Sequence, residues 1–462
     1  MISTRFAQAI ARRTTISRKW TGNATATVTK SVRSFSVVQS HRYPTIIHVH
    51  QNDSSFEEFA LILADPNLAK DVTGVVFHTQ RGDEYERWQT NCKASHQLSD
   101  WEWQLRGRED ERKLKHFKQL IESIRQFPNL RSFGLQFNPQ CESEEPYHFS
   151  IEESPLFRWD ILRTAFTTLD NASHTTPNFE SLSIQNLQNY DDPSLVQSPV
   201  FLSTLSRLKE LRLNIVTECD YHCPESKFQI PQLYKFYEDF PNTWLKPASQ
   251  NLESLTIHGD DCWGYMPKCD FRGLHFPKLR KLELSNYSIS HDWQLDWILS
   301  HASTLEELIL NQVSITSYVY NYGTPDAEKY PTNPADMSGD LFTFEMPTKW
   351  SHLFSQFESR LPKLKHFKFG TGGSYISPSP DSYTCNWVAH FNGEEWDTIG
   401  LFKRRYEVFN REIGPSPWHE DLEAFCGDEE DCKLGPVDWN VIEMERDQDA
   451  LDRLMATVAS RR

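Results

Sequence analysis

No run of apolar residues in this 462-residue chain approaches the roughly 20 that a helix needs to cross a bilayer, so membrane insertion is not expected. Cysteine is sparse: nine residues, odd in number and irregular in spacing. Cys219-x3-Cys223, with His222 between, and Cys262-x6-Cys269 do not fit a closed tetrahedral zinc pattern. Reduced thiols in a reducing compartment are the simpler reading. The chain also has no phosphate-cradling Gly-rich loop, no His-Glu-x-x-His and no Gly-x-Ser-x-Gly. Carboxylates are plentiful, yet no motif pairs two of them for acid–base work. Neither catalysis nor a bound metal or cofactor is therefore expected.

Residues 1–52 lack acid altogether. They carry Arg5, Arg12, Arg13, Arg18, Lys19, Lys30, Arg33 and Arg42 with no Asp or Glu. Drawn as a helix, residues 2–13 place Ile2, Phe6, Ala9 and Ile10 on one face and Arg5 and Arg12 elsewhere. Arg33-Ser-Phe-Ser36 has the form of a presequence cleavage site, with the cut near 35/36. The segment reads as a basic, disordered stretch that either directs mitochondrial import or is a plain basic tail, so the location is the mitochondrial matrix or the cytoplasm and nucleus. With those eight cations set aside, the net charge of −16 becomes −24 for residues 53–462. A body so acidic repels phosphate backbones and argues against general nucleic-acid binding.

What the chain does have is a repeat. Seven segments place apolar residues at the first, fourth and sixth positions: Leu130-Arg-Ser-Phe-Gly-Leu135, Phe179-Glu-Ser-Leu-Ser-Ile184, Leu208-Lys-Glu-Leu-Arg-Leu213, Leu252-Glu-Ser-Leu-Thr-Ile257, Leu279-Arg-Lys-Leu-Glu-Leu284, Leu305-Glu-Glu-Leu-Ile-Leu310 and Leu364-Lys-His-Phe-Lys-Phe369. A single copy would suit an amphipathic helix equally well. Three copies, however, begin with Pro-x-Leu, at Pro128, Pro277 and Pro362, where proline ends a helix and sets the chain extended. The shorter spacings of 29, 27 and 26 residues match a leucine-rich repeat, and the longer ones read as the same unit with inserted loops.

Helical periodicity falls between these strands, at 112–127, 158–170, 197–206, 232–246, 291–301 and 349–360. Ser55-Phe-Glu-Glu58 reads as a capping box with Ser55 as N-cap, and Val72–Phe77 as an eighth, degenerate strand. Alternating strand and helix predict an α/β fold: an irregular leucine-rich-repeat-like solenoid over 53–377, parallel strands on the concave side and helices on the convex side. Ser377-Pro-Ser-Pro380 breaks the pattern, and 378–462 is expected to form an acidic C-terminal cap. In its closing helix, over 441–459, Leu451, Leu454 and Val458 share a face.

A solenoid offers a surface to a protein partner. If the leucines face inward, their alternating neighbours line the concave face: Gln136, Ser183, Gln185, Arg212, Asn214, Thr256, His258, Glu283, Ser285, Ile309, Asn311 and Lys368. Inserted loops are the second candidate surface, carrying Trp263 and Tyr265 in one and Tyr318, Tyr320, Tyr322 and Tyr330 in another. His48-Val-His50 with Asp53 has the residue types of a metal site, but two histidines in a connector more commonly face solvent. The acidic run Asp428–Asp431 reads as a solvated face.

The Phe56…Ala60…Leu68…Val72 lead-in, the Pro-x-Leu-x-x-Leu-x-Leu units and the closing Asp447-x-x-Ala450-Leu-x-x-Leu454-x-x-x-Val458 together resemble the fungal family of F-box-associated leucine-rich-repeat-like proteins. That resemblance implies a non-catalytic receptor whose repeats recruit a substrate, and whose F-box docks on the adaptor of a cullin ubiquitin ligase. The chain departs from the family in lacking a Leu-Pro-x-Glu-Ile opening. The second reading is an imported mitochondrial interaction scaffold outside the ubiquitin system, and a distant third is an enzyme with a site built by the loops.

Overall fold

The computed structural model describes residues 45–79, 100–139, 153–172, 176–217, 230–332, 340–370, 405–410, 414–417 and 441–462. They fall into two compact units: Met1–Gln136 with Asn171–Phe179, and Phe137–Asp170 with Glu180–Arg462. The presequence-like residues 1–44, Cys219, His222 and Cys223, the Ser377–Pro380 break and the Asp428–Asp431 run lie outside the described residues.

The first unit opens with β1 (Thr45–His50), inside the stretch expected to be disordered. Its alternation of Ile47 and Val49, both buried, with half-buried His48 and His50 is a strand signal that the basic composition upstream obscured. Helix α1 (Asp53–Ala64) follows, capped by Asn52 rather than Ser55: the Asn52 carboxamide accepts from the Ser55 N–H at 2.8 Å. The Ser55 hydroxyl instead accepts from the His50 N–H at 2.9 Å, tying strand to helix. After the short α2 (Pro66–Ala69) come β2 (Val72–His78), α3 (Asp100–Ser123) and β3 (Ser132–Gln136). The three strands pair in parallel, β1 with β2 and β2 with β3. Phenylalanines fill the core: Phe77 meets Phe59, Phe117 and Phe133 at centroid distances of 5.9, 5.5 and 5.9 Å.

The second unit alternates helix and strand through α4 (Pro155–Asn171, its last residue assigned to the first unit), β4 (Ser181–Gln188), α5 (Pro193–Val196), α6 (Pro199–Ser206), β5 (Glu210–Val216), α7 (Pro231–Phe240), β6 (Ser254–Trp263), β7 (Lys281–Ile289), α8 (Asp292–Leu299) and β8 (Glu307–Asn311). Strand β9 (Ser314–Tyr322) and β10 (Leu341–Glu345) precede α9 (Trp350–Arg360) and β11 (His366–Gly370). Short β12 (Tyr406–Asn410) and β13 (Gly414–Pro417) and the helix α10 (Val441–Ser460) complete it. Every one of the seven repeat segments forms a strand. The fold is α/β with mostly parallel strands.

Strands β4, β5, β6, β7, β8 and β11 pair in that order, all parallel, in one phase. Leu182, Leu211, Leu255, Leu282, Leu308 and Phe367 stand in register and are buried, as are Ile184, Leu213, Ile257, Leu284, Leu310 and Phe369. Just before each strand a single carbonyl holds the next one in phase. Glu180 O accepts from the N–H groups of Lys209 and Glu210 at 2.8 and 3.0 Å. The same double acceptance recurs from Lys209 O to Glu253 and Ser254, from Glu253 O to Arg280 and Lys281, from Arg280 O to Glu306 and Glu307, and from Glu306 O to Lys365 and His366. The six residues of this row alternate in charge sign: Glu180, Lys209, Glu253, Arg280, Glu306, Lys365.

At the other end the strands bulge. Asn186, Asn286 and Gln312 adopt positive φ of 59, 54 and 51°, a region asparagine tolerates better than most residues. Asn186 and Asn286 spend their side-chain amides alike, donating to Phe137 O at 2.7 Å and Gly259 O at 2.6 Å. Gly259 is obligatory, since a Cβ there would lie 2.6 Å from both Asp261 O and the Trp263 ring.

Past the bulges a second, smaller sheet begins. The end of β7 pairs in parallel with β9, β9 pairs in parallel with β12 and antiparallel with β10, and β12 pairs antiparallel with β13. The 313–349 insertion, read from sequence as a recognition loop, thus contains a hairpin. Its inner face joins Tyr265, Met266, Tyr330, Met346 and Phe409 in a buried cluster. Helix α10 docks on α9 with Leu451, Leu454 and Val458 buried, the apolar face that the periodicity indicated, and with Ala450 buried as well. Asp447 accepts from the Ser351 N–H at 2.7 Å, near the start of α9, and from the Tyr406 hydroxyl at 2.6 Å. Burial raises the Asp447 carboxyl's pKa.

Candidate partner-binding face

Three rows of side chains leave the repeat sheet opposite its leucines. The row nearest the strand starts is Ser181, Glu210, Ser254, Lys281, Glu307 and His366; the next is Ser183, Arg212, Thr256, Glu283, Ile309 and Lys368. The last is Asn214, His258, Ser285 and Asn311, with Gln185 at the β4 bulge.

Exposure falls from the first row to the last. His366 is exposed and the rest of its row half-buried. In the second row Ser183, Arg212 and Lys368 keep surface, whereas Thr256, Glu283 and Ile309 are buried. In the third, Asn214, His258, Ser285 and Asn311 are all buried. Of the concave residues expected from alternation, then, Gln136, Gln185, Ser183, Arg212 and Lys368 present surface and the others do not. The first row, which the sequence reading passed over, is the one presented. Its signal was there to find: it is the residue just before the second apolar position of every repeat.

These rows are knit by charge. Ser181 donates to Glu210 at 2.7 Å, and Glu210 holds the Arg212 guanidinium at 2.6 Å. Lys281 stands 3.9 Å from Glu283 and 3.5 Å from Glu307, and Thr256 donates to Glu283 at 3.4 Å. Burial alone would raise the pKa of Glu210, but Arg212 outweighs it and the net direction is down. For Glu283 burial wins over Lys281 and Arg212, and the net direction is up. Three carboxylates (Glu210, Glu283, Glu307) face three cations (Arg212, Lys281, Lys368), so the face is balanced rather than phosphate-seeking.

The third row contains a serine and a histidine on adjacent strands, Ser285 and His258, in register. Burial pushes the His258 pKa down to about 4, so the ring is neutral. Among the described residues the Ser285 hydroxyl meets no hydrogen-bond partner, and no nucleophile–base contact forms between it and His258.

Gln136 belongs to a different cluster, in the first unit. Its side chain bonds His78, whose Nε2 lies 2.9 Å from His48 Nδ1 and whose ring stacks on His50 with centroids 4.2 Å apart. Burial first, then His50 and His48, push His78 down to about 3. The sequence reading set His48 and His50 beside Asp53; the structure brings His78 instead, thirty residues on from His48. Among the described residues no group of three or more His, Cys, Asp or Glu is arranged to hold a metal ion.

The loop candidates divide cleanly. Trp263 and Tyr265 are buried, with Trp263 donating to Ser285 O at 2.9 Å and Tyr265 to Lys329 O at 2.8 Å. Tyr330 is buried as well. Tyr318, Tyr320 and Tyr322 are half-buried on one face of β9, opposite Glu345, Thr343 and Leu341 of β10. The first group packs the core, and the second remains on the surface.

No helix among the described residues is long and apolar enough to cross a membrane. No family model matches the sequence, and no curated protein matches it.

Proposed function

We propose that this chain is a non-catalytic protein-recognition module of the leucine-rich-repeat type, a substrate receptor of the kind found in the F-box family. The observation that carries this reading is the common phase of six parallel strands, each begun by a repeat motif and each locked to the last by one doubly accepting carbonyl. Such an array sets a partly exposed row of polar side chains at regular intervals, which suits a protein partner carrying both signs of charge. Arg212, Lys281, Glu307 and Lys368 are the first contacts to test.

The experiment is affinity purification of the tagged endogenous protein, with mass spectrometry of its partners and its N-terminus. Co-purification of a cullin adaptor together with a further protein that is lost on Lys281→Glu with Glu307→Lys, while the adaptor is retained, supports the receptor reading. A mature start near Ser36 with mitochondrial partners supports the second reading, an imported interaction scaffold, which rests on the acid-free residues 1–52. Retention of all partners by the charge-swapped variant would remove the repeat face from either account.

A further inference from the structure

The smaller sheet treats its two edges differently. Strand β13, Gly-Pro-Ser-Pro, contains Pro415 and Pro417, which have no N–H to offer a passing strand. Strand β10 reads Leu-Phe-Thr-Phe-Glu, with β-favouring residues and neither proline nor lysine. Among the described residues it pairs with β9 alone.

The hydrogen-bond phase of that pairing fixes which backbone groups are left over. Met346 N donates to Ser317 O at 2.8 Å and Gly323 N to Asp340 O at 3.0 Å. In an antiparallel ladder bonded pairs alternate, so Phe342 and Phe344 bond inward with Asn321 and Val319. The N–H and C=O groups of Leu341, Thr343 and Glu345 therefore point away from β9, and these three residues are exposed, Leu341 by 47%. Free backbone donors and acceptors at every second residue fit an extended polypeptide and little else.

We infer that β10 pairs antiparallel with β10 of a second copy of this chain, about a two-fold axis through Thr343. The odd-numbered positions decide the occupant. When Thr343 faces Thr343 of the second copy, Leu341 faces Glu345 and Glu345 faces Leu341, and all three are the outward-pointing residues. One pairing thus satisfies every outward N–H and C=O on both copies, with Thr343 giving a β-branched cross-strand pair at the centre. Phe342 and Phe344, whose rings already stack at 5.7 Å and 4°, meet Phe344 and Phe342 of the second copy on the same side of the extended sheet. Five residues make a small contact, so the dimer is reversible and concentration-dependent. Because each copy carries −16, association strengthens as salt is raised from low to physiological strength.

The test is sedimentation velocity of the full chain across a wide concentration range. The weight-average mass is expected to rise from 54.0 kDa toward twice that. Thr343→Pro removes the central outward N–H and no bond to β9, and Thr343→Lys sets two like charges opposite each other. Both are expected to leave the circular dichroism spectrum unchanged and to abolish the rise. Thr343→Cys is expected to give a covalent dimer under mild oxidation that the wild type, with its own cysteines, does not, since bonded antiparallel positions stand about 5.5 Å apart. A wild type that stays monomeric throughout, a dimer that survives both Thr343→Pro and Thr343→Lys, or a β10 edge found to take a strand from another protein would each overturn the inference.

Discussion

The repeat sheet and the smaller sheet share a strand, β7, yet they are built on opposite plans. In the repeat sheet each strand depends on its neighbours in sequence: leucine stacks on leucine, and the phase is set by a carbonyl a few tens of residues back. The smaller sheet is assembled from afar. Glu407 on β12 accepts from Ser288 at 2.9 Å, from Cys262 at 3.4 Å and from Ser314, groups 93 to 145 residues away in the chain. Its inner face is aromatic, not leucine-based. Regular, local pairing gives a face that can be extended by repetition, whereas the distant contacts give a single, unrepeatable patch with a usable edge.

The sharpest way to break this contrast is to set two buried anchors of the repeat sheet against a surface side chain of the smaller one. Leu284→Ala, in the repeat core, is expected to cost about 2–5 kcal/mol, and Trp263→Ala about 3–5 kcal/mol, in equilibrium denaturation. Tyr320→Ala, which the sequence placed in the same class as Trp263, should cost about 1 kcal/mol or less and leave the spectrum native. A large loss at Tyr320 would mean that the outer face of β9 is core.

Glu407→Ala should fall next, at about 1.5–3 kcal/mol, because it strips the acceptor from Ser288, Ser314 and Cys262 together. Thermal melts that show no change would show that β12 is held without it.

The two sheets should also respond to pH in opposite directions. His258 titrates at about 4 when folded and near 6.5 when unfolded. The unfolded chain therefore takes up the proton first, and His258's contribution, complete above pH 6.5, is lost as pH falls toward 4, at up to about 1.4 kcal/mol per pH unit. Glu407 has its pKa raised above 4.5 by burial, so its contribution is complete below pH 4.5 and is lost as pH rises. His258→Asn should flatten the acid limb of a stability–pH curve and Glu407→Gln the upper limb. Identical curves for the two variants would erase the distinction.

The smallest effect is expected at the half-buried charges. Exchanging Lys281 and Glu307 should change stability by only about 0–1 kcal/mol, while altering partner capture.

The same contrast explains what was legible in the sequence. Leucines at fixed offsets revealed all seven repeat strands and the helices between them, because local periodicity is what those elements consist of. Strand β9 carried its own alternating signal in Ser314–Tyr322, but the glycines and prolines that follow made a loop the simpler reading. Alternation also told which residues leave the sheet on the outer side, though not how far each is covered. Asn214, His258, Ser285 and Asn311 are buried by tertiary context that no offset encodes. His78 joined His48 and His50 through strand pairing, a relation invisible to a search for neighbours in sequence.

The row of alternating charge ahead of the strands gives the array a parity. Lys209 bridges to Glu180 at 2.8 Å, and Glu306 receives both Arg280 at 2.9 Å and Lys365 at 3.3 Å. If recombination excised a single unit, Glu180 would come to lie beside Glu253, or Lys209 beside Arg280, and each such junction would set like charges together. Excision or duplication of two units keeps the alternation intact. A chain shortened by two units is thus expected to keep opposite charges at every junction, and one shortened by a single unit to set two like charges side by side.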